Sequence, residues 1–261
     1  MIKKRILDRF SLKGKVALVT GGAGLYGRQI VAALAEAGAR TFIAARHVEA
    51  LEAVAVEHRK TGADVTALPL DQSREDSVLT LRDEVLRRAG GIDVLINNAV
   101  ARPMKGYNDK SAAFDESMRV NATGLFLITR AIGDALRDNG SIVNIGSIMG
   151  LIGLEPTNYR GTDMSGWIPD YFFHKGGMVN FTRFIASYYG PRGIRCNCIH
   201  PGGLQQASQP APFVRQYGER TCLGRMANET DLMGIIVFLA SDASAYITGA
   251  NIPVDGGYTA K

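Results

Sequence analysis

The sequence predicts an α/β fold built on a parallel sheet with helices on both faces. Three observations carry this. Short apolar runs alternate with amphipathic stretches along the whole chain. The first apolar run leads straight into a glycine cluster at Gly21, Gly22, Gly24 and Gly27. No internal repeat, low-complexity tract or linker interrupts the alternation, so 1–261 reads as a single domain.

Each element follows in turn. KVALVT at 15–20 reads as a buried strand, and GGAGLYG turns the chain into a helix over 25–37 that ends at Gly38. TFIAAR is a second strand. HVEALEAVAVEHRKTG is a helix with acidic residues early and basic ones late, as the helix dipole favours. VTALPLD is a third strand. SREDSVLTLRDEVLRRAGG is a helix with Ser73 as its cap. IDVLINNA is a fourth strand, followed by a helix over 112–137 and GSIVNIGS as a fifth strand. A helix over 171–189, the strand GIRCNCIHP, a shorter helix over 229–240 and the strand ANIPVDGG complete the pattern. The one long irregular stretch is 149–170, and segments of that kind inside compact domains tend to be functional.

Composition narrows the function. A hydrophobic content of 46% and charged content of 21% fit an ordinary soluble α/β domain. The net charge of +5 is scattered, with no basic run beyond Lys3 to Arg5, so it does not point to nucleic acid. An anionic cofactor and an anionic substrate account for it equally well. Cys196, Cys198 and Cys222 form no CxxC pair and no zinc spacing, and read as buried free thiols in a reducing compartment. His47, His58, His174 and His200 are dispersed, so no metal set is expected. The N-terminus lacks an apolar leader segment, and no run is long and apolar enough for a membrane span. A cytoplasmic location is expected.

The glycines between the first strand and helix permit a tight turn and a close backbone approach to a pyrophosphate at the helix N-terminus. Gly21, Gly22, Gly24, Leu25, Tyr26 and Gly27 are therefore candidate cofactor contacts. The second strand ends Ala44, Ala45, Arg46, with no acid to bind ribose hydroxyls. An arginine there pairs with a 2′-phosphate, so Arg46 favours NADP(H), with NAD(H) still possible through backbone contacts. Asp71 is placed to touch the adenine edge. Asn97, Asn98 and Ala99 end the fourth strand at the rim where cofactors cross open sheets.

Tyr171 and Lys175 are one helical turn apart and share a face. A nearby ammonium favours the phenolate, so a tyrosine normally near pKa 10 becomes a usable proton carrier. Lys175 also has the reach to bind a nicotinamide ribose. Ser147, after the fifth strand, can hydrogen-bond the reacting oxygen. Asn121, in the preceding helix, can hold a water next to the lysine.

These pieces together resemble a short-chain dehydrogenase/reductase over essentially the whole chain. The matching segments are TGGAGLYG, NNA at 97–99, Asn121, Ser147, YFFHK, PGG at 201–203 and PVDGGY. The resemblance implies a Rossmann-type three-layer sandwich with a doubly wound, mostly parallel sheet of about seven strands. It also implies a dinucleotide, a Ser–Tyr–Lys triad with Asn121 as fourth member, and a homo-oligomer, a tetramer ahead of a dimer. Pro201 and Gly202 would border the nicotinamide, and the backbone of Gly203 or Leu204 would contact its carboxamide.

Four departures stand out. The glycine spacing is TGxxGxxG, as in the longer, sugar-nucleotide-modifying branch, with Leu25 where a glycine is usual. Val100 replaces the glycine of NNAG. Gln206 stands where a threonine is common. Ser147 and Tyr171 are further apart than the family's serine and tyrosine, so 149–170 is expected as an insertion over the substrate cleft.

That insertion offers Glu155, Asn158, Tyr159, Arg160, Thr162, Asp163 and Trp167, and the loop after the fourth strand adds Arg102, Lys105, Tyr107 and Asn108. The inventory suits a small polar, hydroxylated substrate, a sugar-like one included, as readily as it suits a solvated surface. Residues 204–225 read as a substrate lid, with Phe213, Val214 and Tyr217 as an apolar wall and Arg215 as a partner for a carboxylate. The expected activity is interconversion of a secondary alcohol and a ketone. Two alternatives remain at this level: a non-catalytic nucleotide-binding sensor or scaffold, and a sugar epimerase or dehydratase with a tightly bound dinucleotide.

Overall fold

The computed structural model describes residues 5–261. Lys3 and Lys4 of the basic run, and the first four residues of the segment read for a leader, lie outside the described residues. Seven strands form one sheet: β1 (Val16–Thr20), β2 (Arg40–Ala45), β3 (Val65–Pro69), β4 (Ile92–Asn97), β5 (Leu136–Ile145), β6 (Arg195–Pro201) and β7 (Asn251–Val254). Their order is β3-β2-β1-β4-β5-β6-β7 and every pairing is parallel. The fold is a doubly wound Rossmann-type sandwich. The order reverses between β1 and β4, and a crevice opens there at the carboxyl ends of the strands.

Alternation along each strand divides the core between the two faces. Ala17, Val19, Ile43, Val94, Ile96 and Val143 face one side. There they meet α1 (Leu25–Glu36), α2 (Val48–Arg59) and α8 (Met233–Ala240). Leu18, Phe42, Ala44, Leu95 and Ile142 face the other side. There they meet α3 (Glu75–Ala89), α5 (Gly124–Ala135) and α6 (Pro169–Tyr189). Both faces are covered, which is why the strands read as unbroken apolar runs.

Three local readings are corrected. The helix expected over 112–137 is α4 (Ser111–Met118) and α5 joined by a π-turn at Arg119–Thr123, closed by Gly124 N–H donating to Arg119 O. Ser73 does not cap α3; its hydroxyl donates to Asp71 at 2.7 Å, and Arg74 takes the cap position without a side-chain bond. Cys222 is exposed, while Cys196 and Cys198 are buried free thiols in β6. Residues 211–220, expected only as part of a lid, form α7 (Ala211–Arg220).

Candidate active site

The turn after β1 is held from behind. Gly21 has φ +71, open to glycine and strained for other residues. A Cβ on Gly27 would lie 2.2 Å from Gly21 O, so the first turn of α1 packs directly under the loop. Asn98 clamps the same loop: its Nδ2 donates to Thr20 O at 3.0 Å and Gly21 O at 2.9 Å, while the Thr20 hydroxyl accepts from Asn98 N and Ala99 N. The orphan N–H groups at the start of α1, beside Gly24 and Leu25, open into a cleft of about 740 Å³. That cleft runs from Arg46 and Asp71, past Asn98 and Ala99, to Ser147, Tyr171 and Lys175. A dinucleotide fits this path, with its phosphates at the helix N-terminus.

Arg46 follows β2 and is exposed at one end of the cleft. The Asp71 carboxyl nearby is held below the usual range, chiefly by the Ser73 hydroxyl and also by Arg46. Pro201, Gly202, Gly203 and Leu204 line the far wall. Gly202 O accepts from the Tyr26 hydroxyl at 2.7 Å, and Gly203 N–H donates to the Tyr217 hydroxyl at 2.6 Å. The Gly203 N–H is thereby engaged within the wall, which leaves Leu204 as the candidate for a backbone contact to a carboxamide.

At the chemical end, Ser147 follows β5 and opens a 3-10 turn, its hydroxyl accepting from Met149 N at 3.1 Å. The buried His200 ring donates from Nδ1 to Ser147 O at 3.0 Å and fixes that corner. Tyr171 and Lys175 project from α6. The Lys175 ammonium is buried, donates to Ile145 O at 2.5 Å and lies 5.8 Å from the centre of the Tyr171 ring. Burial pushes the Tyr171 hydroxyl up, but Lys175, Arg102 and the Ser147 hydroxyl together bring it below its ordinary value. Lys175 is itself lowered, by burial first and by Arg102, with Tyr171 acting in the opposite sense.

Among the candidate catalytic and cofactor-binding residues, Gly22, Gly27 and Asn121 do not line the cleft. Gly22 packs against Ile43, where a Cβ would meet that side chain at 2.9 Å. Gly27 sits beneath Gly21. Asn121, expected to hold a water beside Lys175, has both amide N–H groups engaged, with Ala101 O at 2.8 Å and Ser117 Oγ at 3.0 Å. Its Oδ1 accepts from Ala101 N at 2.9 Å, so Asn121 fixes the loop after β4.

The 149–170 segment also differs from expectation. Glu155 pairs with Arg220 at 2.9 Å and accepts from Thr157, and Asn158 is buried and donates to the Tyr258 hydroxyl at 2.6 Å. Arg160 O accepts from Gln216, and Trp167 is exposed. These polar groups anchor the segment to α7 and to Tyr258. The residues turned to the cleft are Met149, Tyr159, Met164, Ser165, Gly166 and Ile168. Phe213 of α7 packs on Tyr159 with ring centroids 5.4 Å apart and completes an apolar wall. Met164 and Ile168 were not foreseeable, because nothing local marks which side of an irregular loop faces inward. Arg102 was visible only as one loop cation among several; it stacks over the Tyr171 ring at 4.8 Å.

His174 is buried beside Tyr171, with ring centroids 5.2 Å apart, and neither ring nitrogen has a hydrogen-bond partner. It lies outside the cleft lining. Burial, then Lys175 and Arg102, push its pKa down to about 3. An unfolded chain takes up this proton near pH 6.5 and the native state does not, so stability is lost as pH falls from there towards 3. His174→Leu should flatten that acid limb, which has a limiting slope of about 1.4 kcal/mol per pH unit. Urea midpoints across that range provide the check; an unchanged slope would assign the acid sensitivity elsewhere.

A phosphate-sized cradle at the sheet's switch point, facing a tyrosine set between two cations, is the plan of a nucleotide-dependent oxidoreductase. Comparison with known proteins supplies the family. A family model described as enoyl-(acyl carrier protein) reductase matches residues 24–259. The 3-oxoacyl-[acyl-carrier-protein] reductase of Aquifex aeolicus is 32% identical over 254 residues, covering 94% of this chain and 98% of the relative. The galactitol 2-dehydrogenase (L-tagatose-forming) of Cereibacter sphaeroides is 32% identical over 259 residues, covering 96% and 97%. A gluconate 5-dehydrogenase from Burkholderia cenocepacia, solved in complex with NADP and tartrate, superposes with a TM-score of 0.89 at 29% identity, covering 98% of this chain and 100% of that one. The chain belongs to the short-chain dehydrogenase/reductase family. It is an NAD(P)-dependent oxidoreductase acting on alcohol or ketone substrates. Among the described residues, no helix is long and apolar enough to cross a membrane.

Proposed function

We propose that the protein interconverts a secondary alcohol and a ketone on a small polar substrate, with NADP(H) preferred over NAD(H). The observation that carries this is Tyr171 at the cleft wall with Lys175 and Arg102 against it and its hydroxyl drawn below the ordinary pKa. In the oxidative direction the phenolate takes the proton of the alcohol; in the reductive direction the phenol returns it to the carbonyl oxygen. Ser147 orients the reacting oxygen. Lys175 favours the phenolate and holds the nicotinamide ribose. The bound nicotinamide supplies or accepts the hydride. Asn121 acts through Ala101, holding the loop that carries Arg102.

Polar groups at the substrate end are Ser147, Tyr159, Ser165, Gln206 and Gln209. The galactitol dehydrogenase and the tartrate-bound neighbour support a hydroxylated substrate. A panel of small polyols and ketones, read by NADPH absorbance, tests the activity; no net cofactor turnover with any of them would overturn it. The single domain works as a homo-oligomer, a tetramer ahead of a dimer, in the cytoplasm. Exposed Phe173, Phe184 and Tyr188 on α6 offer apolar contact area, and the buried thiols of β6 suit a reducing compartment.

Arg46 carries the cofactor preference. It stands where an acid would bind ribose hydroxyls, and its guanidinium pairs with a 2′-phosphate. Arg46→Ala should raise KM for NADPH about tenfold or more and change that for NADH by less than about threefold. Equal losses for the two cofactors would remove the phosphate clamp.

A further inference from the structure

Arg102 favours the Tyr171 phenolate, but that contact engages only one end of its guanidinium. Its Nη2 lies 3.4 Å from the Tyr171 hydroxyl, the long end of hydrogen-bonding distance. The rest of its five N–H donors have no hydrogen-bond acceptor among the described residues. No ion pair joins it to a carboxylate among those residues, although the side chain is exposed in a cleft. The substrate end of that cleft has no acidic lining residue. Asp71 lines the opposite end with Arg46, and Asp170, next to Tyr171, is buried and outside the lining.

The position is fixed as well as charged. Both backbone groups of Ala101 are held by the Asn121 amide, at 2.9 and 2.8 Å. The guanidinium lies over the Tyr171 ring, its central carbon 4.8 Å from the ring centre. Lys105 brings a second cation to the same loop, donating to Arg102 O at 3.3 Å. An open guanidinium fork pointed at the proton carrier matches a planar anion, which it binds through two parallel bonds.

We propose that Arg102 binds the carboxylate of an anionic substrate, and that this carboxylate is attached one or two carbons from the reacting carbinol. The substrates are then 2- or 3-hydroxy acids and the matching keto acids. The position follows from reach. The reacting oxygen must sit about 2.7 Å from the Tyr171 hydroxyl. A carboxylate on the fork sits about 2.8 Å from nitrogens that border that same hydroxyl. One or two carbon–carbon bonds span the difference. The apolar wall of Met164, Ile168 and Phe213 receives the remainder of the molecule. This rests on Tyr171 as the proton carrier.

Two measurements test it. Malonate is titrated calorimetrically into the enzyme saturated with NADP+. It should bind the parent protein, and Arg102→Ala should weaken it about ten- to a hundredfold with cofactor affinity unchanged. Arg102→Lys, which keeps the charge and loses the fork, should fall between. Absence of malonate binding to the parent, or equal binding to Arg102→Ala, overturns the proposal. In the second measurement, kcat/KM is compared for 3-hydroxybutanoate and its primary amide. The parent should prefer the acid, and Arg102→Ala should erase that preference mainly through KM. An equal loss on acid and amide would mean that Arg102 acts only on Tyr171, and the proposal falls. Arg102-dependent malonate binding without turnover of either compound supports the carboxylate site and instead overturns Tyr171 as the proton carrier for such acids.

Discussion

Replacing Tyr171 with phenylalanine should lower kcat by about a thousandfold, within the range that a positioned acid–base group contributes. Phenylalanine keeps the ring beneath the Arg102 guanidinium and against His174, so the wall of the cleft is preserved. Only the hydroxyl proposed to exchange the proton is lost. Cofactor affinity should stay within about threefold, because one hydroxyl contributes little to a ligand held by a whole cradle. Steady-state kinetics and an NADPH fluorescence titration separate the two effects. Turnover near the parent rate would move proton transfer to another group.

Lys175→Met should lower kcat by a similar two to four orders of magnitude, and its signature is in the pH profile. The ammonium is the strongest influence favouring the Tyr171 phenolate. Without it the tyrosine pKa rises, and the ascending limb of the oxidation rate moves to higher pH. Methionine approximates the buried volume and needs no partner in place of Ile145 O. KM for the cofactor should rise as well, since the ribose loses its donor. A limb at the parent position would show that Lys175 does not tune Tyr171.

The strands were legible because a sheet covered on both faces demands apolar residues at every position, and KVALVT or GSIVNIGS has few other uses. The glycine turn and the Tyr171–Lys175 face were legible because each depends on spacing within one turn or helix. What stayed hidden was set by partners far along the chain. Arg102 meets Tyr171 across 69 positions, and Asn158 meets Tyr258 across 100. Glu155 read as a residue for a polar substrate until Arg220 took it up. The π-turn at Arg119–Thr123 leaves no trace in periodicity, because a single extra residue per turn shifts the apolar pattern too little to register. Asn121 reads as a water holder beside Lys175, and its amide instead meets Ala101, 20 positions away.

Tyr258 gives the cleft an unexpected dependence. Its hydroxyl accepts from Asn158, its ring lies 4.8 Å from that of Tyr217, and the Tyr217 hydroxyl accepts from Gly203 N. The 149–170 segment and the Gly203 wall of the cleft therefore lean on a common residue. A substitution at Tyr258 should therefore disturb both sides of the cleft at once, although the residue itself does not line it.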